Sequence, residues 1–220
     1  MDTAQLAALL LADARLPAAG HTQSAGLEPA LLGGMAEGRI EEYIHHRLAT
    51  VTRIEAATAV VALRRWRGGE HVERVAEEWA ARTPSPAVRT ASRLQGRALL
   101  RLASRLWPDR EEVQHCRGAG FPRPVVLGAI ASVLHLDAEQ VATVVAYDDV
   151  QTVAAAALKL VPLDPVTATT WVVDAFPAIS ALVAATATLS DASDIPAPGA
   201  PQFEAWAQAH AVASRRLFSA

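Results

Sequence analysis

No stretch of this chain alternates apolar and polar residues for long enough to make a convincing strand; its apolar side chains recur at helical spacing instead. Ile40, Tyr43, Ile44, Leu48 and Val51 form one such face, and Val88, Ala91, Leu94, Leu99, Leu102 and Leu106 form another. The punctuation agrees. Ser85-Pro86 and Asp164-Pro165 each put a capping side chain before a proline at the first helical position. Asp137 caps a helix over 138–160, and Arg123-Pro124 opens one that ends near His135. Gly33-Gly34 and Gly68-Gly69 read as stops. Further helices are predicted over 40–51, 55–67, 71–81, 165–189 and 202–218. The reading is a single all-α domain over 1–220, a bundle of roughly nine or ten helices around Ala/Val-rich central ones. Residues 190–201, rich in Pro, Ala, Ser and Asp, read as a flexible linker. The amphipathic helix over 202–218, with Phe203, Trp206 and Leu217, reads as a docking element whose order depends on a partner.

Composition narrows the function. The 220 residues are 51% hydrophobic and 20% charged, enough for one sizeable core. A net charge of −3 argues against nucleic-acid binding. Cys116 is the sole cysteine, so no internal disulfide can form and a reducing, cytoplasmic setting fits. The first residues, MDTAQ, lack the basic start of a secretory signal. The run Val166 to Leu189 has transmembrane length, but Asp174 and Pro177 interrupt it and no Lys or Arg flanks it. A buried central helix pair is the expectation there.

The most informative stretch is Leu10 to Glu28. An apolar helix breaks at Pro17, small and polar residues follow, and Glu28-Pro29 opens a second helix with an acidic group at its positive end. Gly20 and Gly26 are free to take positive φ or to admit another backbone. This is a helix–loop–helix corner holding Leu16, Pro17, Gly20, His21, Ser24, Gly26, Leu27 and Glu28, the kind of loop that carries function.

Asp13, Leu16-Pro17, Gly20, Ser24 and Gly26-Leu27-Glu28 resemble the opening motif of the UreF family of urease accessory proteins, D-x-x-L-P-x-G-G-F-x-H-S-x-G-L-E. Ala19 stands where that motif has its first glycine, His21 where it has phenylalanine, and Gln23 where it has histidine. Arg82 to Gly96, Arg123 to Gly128 and Lys159 to Asp164 are similar to three weaker family segments. His210 and Arg216-Leu217-Phe218-Ser219 resemble the terminal H-x-x-x-x-R-L-F-x-S. The resemblance implies a non-enzymatic scaffold for nickel incorporation into urease. It would recruit and regulate a nickel-carrying GTPase, UreG, together with UreD/UreH and apo-urease, and act as a homodimer. It implies partner contacts through the opening corner and through His210, Arg216, Leu217 and Phe218. It implies no tightly bound cofactor, nickel being handled by the complex.

Other chemistry reads as weaker. Glu42 with His45, and Glu112 with His115, are Glu-x-x-His pairs that in a four-helix bundle could serve a helical metal-binding enzyme or carrier. The second pair lies in the irregular stretch 109–122, where no long helix is expected. His115-Cys116 could ligate a transition metal, yet two adjacent residues do not complete a site, and a solvated loop thiol is the expectation. Ser24 near His21 suits a turn or cap better than a nucleophile. No G-x-x-x-x-G-K-[ST] loop occurs, so the chain is not itself a P-loop GTPase.

Overall fold

A computed structural model describes residues 3–13, 16, 22–213 and 217–218. Among them the chain forms twelve α-helical segments and no strand. Two of these have only six residues, α2 (Leu27–Leu32) and α7 (Glu111–Cys116). The others are α1 (Thr3–Leu11), α3 (Ile40–Ala49), α4 (Val51–Arg67), α5 (Glu73–Ala81), α6 (Pro86–Leu106), α8 (Arg123–Val133), α9 (Ala138–Leu160), α10 (Pro165–Asp174), α11 (Phe176–Thr186) and α12 (Pro201–Ala211). The fold is all-α.

The centre is α4 against α8 and α9. Every residue of α8 from Pro124 to Val133 is buried, as a helix apolar on all sides requires. Gly128 lets α8 lie directly on α4: a Cβ there would stand 2.7 Å from Ala62 Cβ and 2.9 Å from the Ala59 carbonyl oxygen. Small residues on both helices thus set their separation. The caps form where the sequence puts them. Ser85 Oγ accepts from the Val88 amide, Asp164 Oδ1 accepts from the Val166 amide (2.9 Å), and Asp137 and Gln140 make a reciprocal capping box (2.7 and 2.9 Å).

Several expectations change. The run 165–189 is a helix pair, divided at Ala175 between the interrupting Asp174 and Pro177, but it is not central. It packs on α9 and leaves Val166, Val173 and Phe176 exposed. Ala138–Leu160 and Pro165–Thr186 are both long and apolar enough to cross a membrane; the first lies packed among α4, α10 and α11. Cys116 is not a solvated loop thiol. It ends α7, is buried, and burial together with the nearby Glu112 and Glu73 carboxylates pushes its pKa up to about 12. The helix expected over 202–218 ends at Ala211, with Val212 as its cap.

The segment 190–201 lies along the body. Arg82 Nε donates to the Ile195 carbonyl (2.5 Å) and its Nη2 to that of Ser193 (3.0 Å). Arg65 pairs with Asp191 (3.0 Å), and Ala192 and Ile195 are buried. The arginines at the end of α4 act across elements. Arg64 holds the Ala187 carbonyl and Arg67 that of Leu136, each at 2.6 Å.

Candidate functional site

The two ends of the described chain meet at Glu28. The loop before it turns through two consecutive left-handed residues, Ala25 (φ 49°) and Gly26 (φ 76°). Ser24, fully buried, accepts from the Glu28 amide through Oγ (3.3 Å), and its carbonyl accepts from Leu27 (3.0 Å). Tyr43 Oη donates to the Ala25 carbonyl (2.7 Å), fixing the turn from α3. This presents the Glu28 carboxylate inward. Its Oε2 lies 3.0 Å from His210 Nε2 of α12 and accepts the Phe218 amide at 2.9 Å; its Oε1 accepts the Leu217 amide at 2.5 Å. Glu28 and His210 are 5% and 4% exposed, so these bonds replace water almost completely. Phe218 is buried with Lys159 Nζ 5.3 Å from its ring centre, whereas Leu217 is exposed.

A second layer supports this junction. Tyr43 meets Phe203 (ring centres 5.0 Å apart) and Trp206 (6.3 Å), which seats α12 on α3. Arg47, one turn along α3, lies over both Tyr43 (6.0 Å) and Phe203 (5.8 Å). Its guanidinium is bidentate on Asp149 (3.0 and 2.6 Å), and Thr52 Oγ1 donates to the same carboxylate (2.7 Å). Burial alone would raise the Asp149 pKa, but Arg47, the Thr52 hydroxyl and the nearby Arg123 charge outweigh it and hold the group below the usual carboxylate range. Arg123 pairs with Asp148 (2.6 Å), while burial holds the Asp148 carboxyl above its ordinary value. Glu55 accepts from Trp79 Nε1 (2.7 Å) and is likewise raised by burial. These charged groups line a cavity of about 640 Å³ that Gly26, Phe203 and His210 also border.

The sequence-predicted site residues therefore divide. Ser24, Gly26, Leu27, Glu28, His210, Leu217 and Phe218 converge, and Leu16 lines the same cavity. Pro17, Gly20, His21 and Arg216 lie outside the described residues. The Glu-x-x-His pairs do not assemble. Glu42 is bonded to Arg39 (2.7 Å to each oxygen), Glu112 accepts from Ser132 (3.0 Å), and His115 meets Glu73 (2.8 Å). No group of three or more potential His, Cys, Asp or Glu ligands occurs among the described residues. The sequence reading missed Arg47, Asp149, Arg123, Glu55 and the role of Tyr43. A signal was present: Asp148-Asp149 interrupts an Ala/Val-rich helix, and charges there need partners when buried.

A UreF family model matches residues 36–176, more than half of the chain. The chain belongs to the UreF family. Similar proteins are the urease accessory protein UreF of Mycobacterium sp. (strain JLS), 35% identical over 214 residues, and that of Mycobacterium tuberculosis (strain ATCC 25618 / H37Rv), 36% identical over 218. The UreF of Mycobacterium marinum (strain ATCC BAA-535 / M) is 34% identical over 215 residues. Each alignment covers 96% of both chains. The segment matched by the UreF model holds the bundle from α3 to α10 and the Arg47–Asp149 pair; the Glu28–His210 junction lies outside it.

Proposed function

We propose that this UreF-family chain serves urease maturation in the cytoplasm as a scaffold without catalysis of its own. In this reading it works as a homodimer. It recruits and regulates the nickel-carrying GTPase UreG together with a UreD/UreH-type partner, and the assembly delivers nickel to apo-urease. The chain itself holds no tightly bound cofactor, and nickel passes through the complex.

One observation carries the reading: proteins named urease accessory protein UreF align with this chain over 96% of both lengths. The geometry supports it. The charges bordering the cavity are largely matched by one another, as structural pairs are, and the Glu28 junction braces the C-terminal segment beside the exposed Leu217. The test is reconstitution. Urease would be produced with its accessory proteins, with and without this chain, and its nickel content and activity measured. Activation that depends on the chain, with co-purification of UreG and UreD/UreH, is the expected result. Full nickel loading without the chain would overturn the reading.

A further inference from the structure

The longest helix on the α12 side of the bundle, α6, carries arginine at every fourth position: Arg89, Arg93, Arg97, Arg101 and Arg105. It contains no acidic residue. Arg89 is spent locally, donating to the carbonyls of Thr83 (2.7 Å) and Pro84 (2.8 Å). The other four are exposed, and none makes an ion pair or hydrogen bond among the described residues. Ser92, Gly96, Leu99 and Ala103 form the buried seam on the opposite side, which faces α8. At 1.5 Å per residue the four span about 18 Å, with about 6 Å between neighbours. Like charges at i, i+4 cost a helix about 0.2–0.5 kcal/mol per pair. Folding therefore gains nothing from this register.

We propose that the Arg93–Arg105 ridge of α6 is a docking surface for an acidic helix of a partner protein. Two features select that occupant. First, Leu94 sits within the ridge, three residues before Arg97 and seven before Arg101, and is 50% exposed. A leucine among arginines suits a protein interface, where arginine forks pair with carboxylates around an apolar anchor. It gives nothing to a phosphate backbone, and the ridge has no aromatic on which a base could stack. Second, the chain carries −3 in all, so the four ridge charges are set against −7 elsewhere. A long polyanion or an anionic membrane would be repelled by that remainder, whereas a single acidic helix meets only the ridge. Carboxylates at four-residue spacing repeat at the same interval of about 6 Å, so each can face one guanidinium. This inference stands apart from the maturation reading, since it concerns the chemistry of one face.

The test uses the full chain and a synthetic helical peptide with glutamate at every fourth position around one leucine. A matched lysine peptide, duplex DNA and phosphatidylserine vesicles are run alongside, and fluorescence anisotropy or co-sedimentation reads binding at low and high salt. Wild type should bind the glutamate peptide in a salt-sensitive manner. Changing all four residues, Arg93→Glu, Arg97→Glu, Arg101→Glu and Arg105→Glu, should weaken it at least about tenfold and transfer binding to the lysine peptide. The corresponding four Arg→Gln changes should also lose the glutamate peptide, which keeps the test decisive if charge reversal disturbs folding. Equal binding of that peptide by the variants and wild type would refute the proposal. Tighter binding of DNA or vesicles than of the peptide would also refute it. Self-association of wild type that the variants lose would assign the ridge to a second copy instead.

Discussion

Glu28 and His210 stand 182 residues apart in sequence and 3.0 Å apart in the fold, and both are almost fully buried. The carboxylate also takes the amides of Leu217 and Phe218, so one side chain ties the corner before α2 to α12 and to the residues beyond it. The corner before α2 and the segment after α12 are joined by polar bonds that need two acceptor oxygens on one side chain, which a carboxylate of this length supplies.

Glu28→Ala should therefore destabilise the whole protein. It strands two amides and an imidazole in a dry site, at about 1–3 kcal/mol for each unsatisfied group. Thermal unfolding should shift down by several degrees, and limited proteolysis should cut the segment after Ala211 sooner. Glu28→Gln keeps an acceptor oxygen and should lose less. An unchanged melting curve for Glu28→Ala would mean that the junction contributes nothing to stability. From the sequence, loss of residues 215–220 is expected to leave the melting temperature unchanged to within a few degrees and to abolish the accessory complex. Phe218, buried with its amide on Glu28, argues for a larger effect on stability: the deletion should lower the melting temperature by more than a few degrees.

The Arg47–Asp149 pair supplies the second prediction. Removing one partner of a buried pair leaves an uncompensated charge and costs about 3–5 kcal/mol. Asp149→Asn alone should approach that loss, because Arg47 would remain charged beneath Phe203. The double change Arg47→Met with Asp149→Leu should recover much of it. A double-mutant cycle by denaturant unfolding measures the coupling. Additive single and double losses would show that the two groups act independently.

At Gly26 the backbone argument is local. Its φ of 76° is a region that L residues avoid at about 1–2 kcal/mol, and a Cβ would stand 2.9 Å from Tyr43 Oη. Gly26→Val should displace Tyr43 from the Ala25 carbonyl and loosen α12, which rests on the Tyr43 ring. Gly38, where a Cβ meets nothing within 4 Å, is the control position. Equal stability of Gly26→Val and Gly38→Val would refute the turn's role.

How much of this was legible in the sequence depends on how local each determinant is. The caps at Ser85, Asp137 and Asp164 were readable because a cap is a relation between residues at most a few positions apart. The full extent of α9 followed from Asp137 at one end and the Leu160-Val161-Pro162 run at the other. The break near Asp174 and Pro177 was visible, but the pair's place outside the centre was not, because apolar composition alone does not tell a buried helix from one with an exposed apolar side. The opening and terminal motifs were recognisable separately, but their meeting at Glu28 was not, since nothing within either segment encodes a partner 182 residues away. The inward charges Arg47 and Asp149 were hidden for the same reason. The arginine register of α6 was fully visible, yet its meaning required knowing which face of that helix is buried.

Glu55 yields a pH prediction with a definite sign. It borders the cavity on α4, with Trp79 Nε1 as its donor, and is influenced by Arg123 of α8, Arg47 of α3 and Asp149 of α9. Burial raises its pKa above the ordinary carboxylate value, and the Trp79 bond and the two arginines only partly offset that. The folded state thus holds this proton more tightly than the unfolded chain does. For such a group the stabilising contribution is complete below the unfolded pKa and is lost as pH rises through the folded one. Asp148 acts in the same direction, while Asp149, whose pKa is lowered, acts in the opposite one and loses its contribution as pH falls. Glu55→Gln isolates the contribution of Glu55, because glutamine keeps the Oε1 acceptor for Trp79 and cannot ionise. The variant should be more stable than wild type at pH 7–8, and its advantage should shrink as pH falls toward about 4.5. Chemical denaturation at several pH values measures the difference directly. A variant less stable than wild type at neutral pH would show that the ionised carboxylate is held by Arg123 and Arg47 more firmly than burial opposes it.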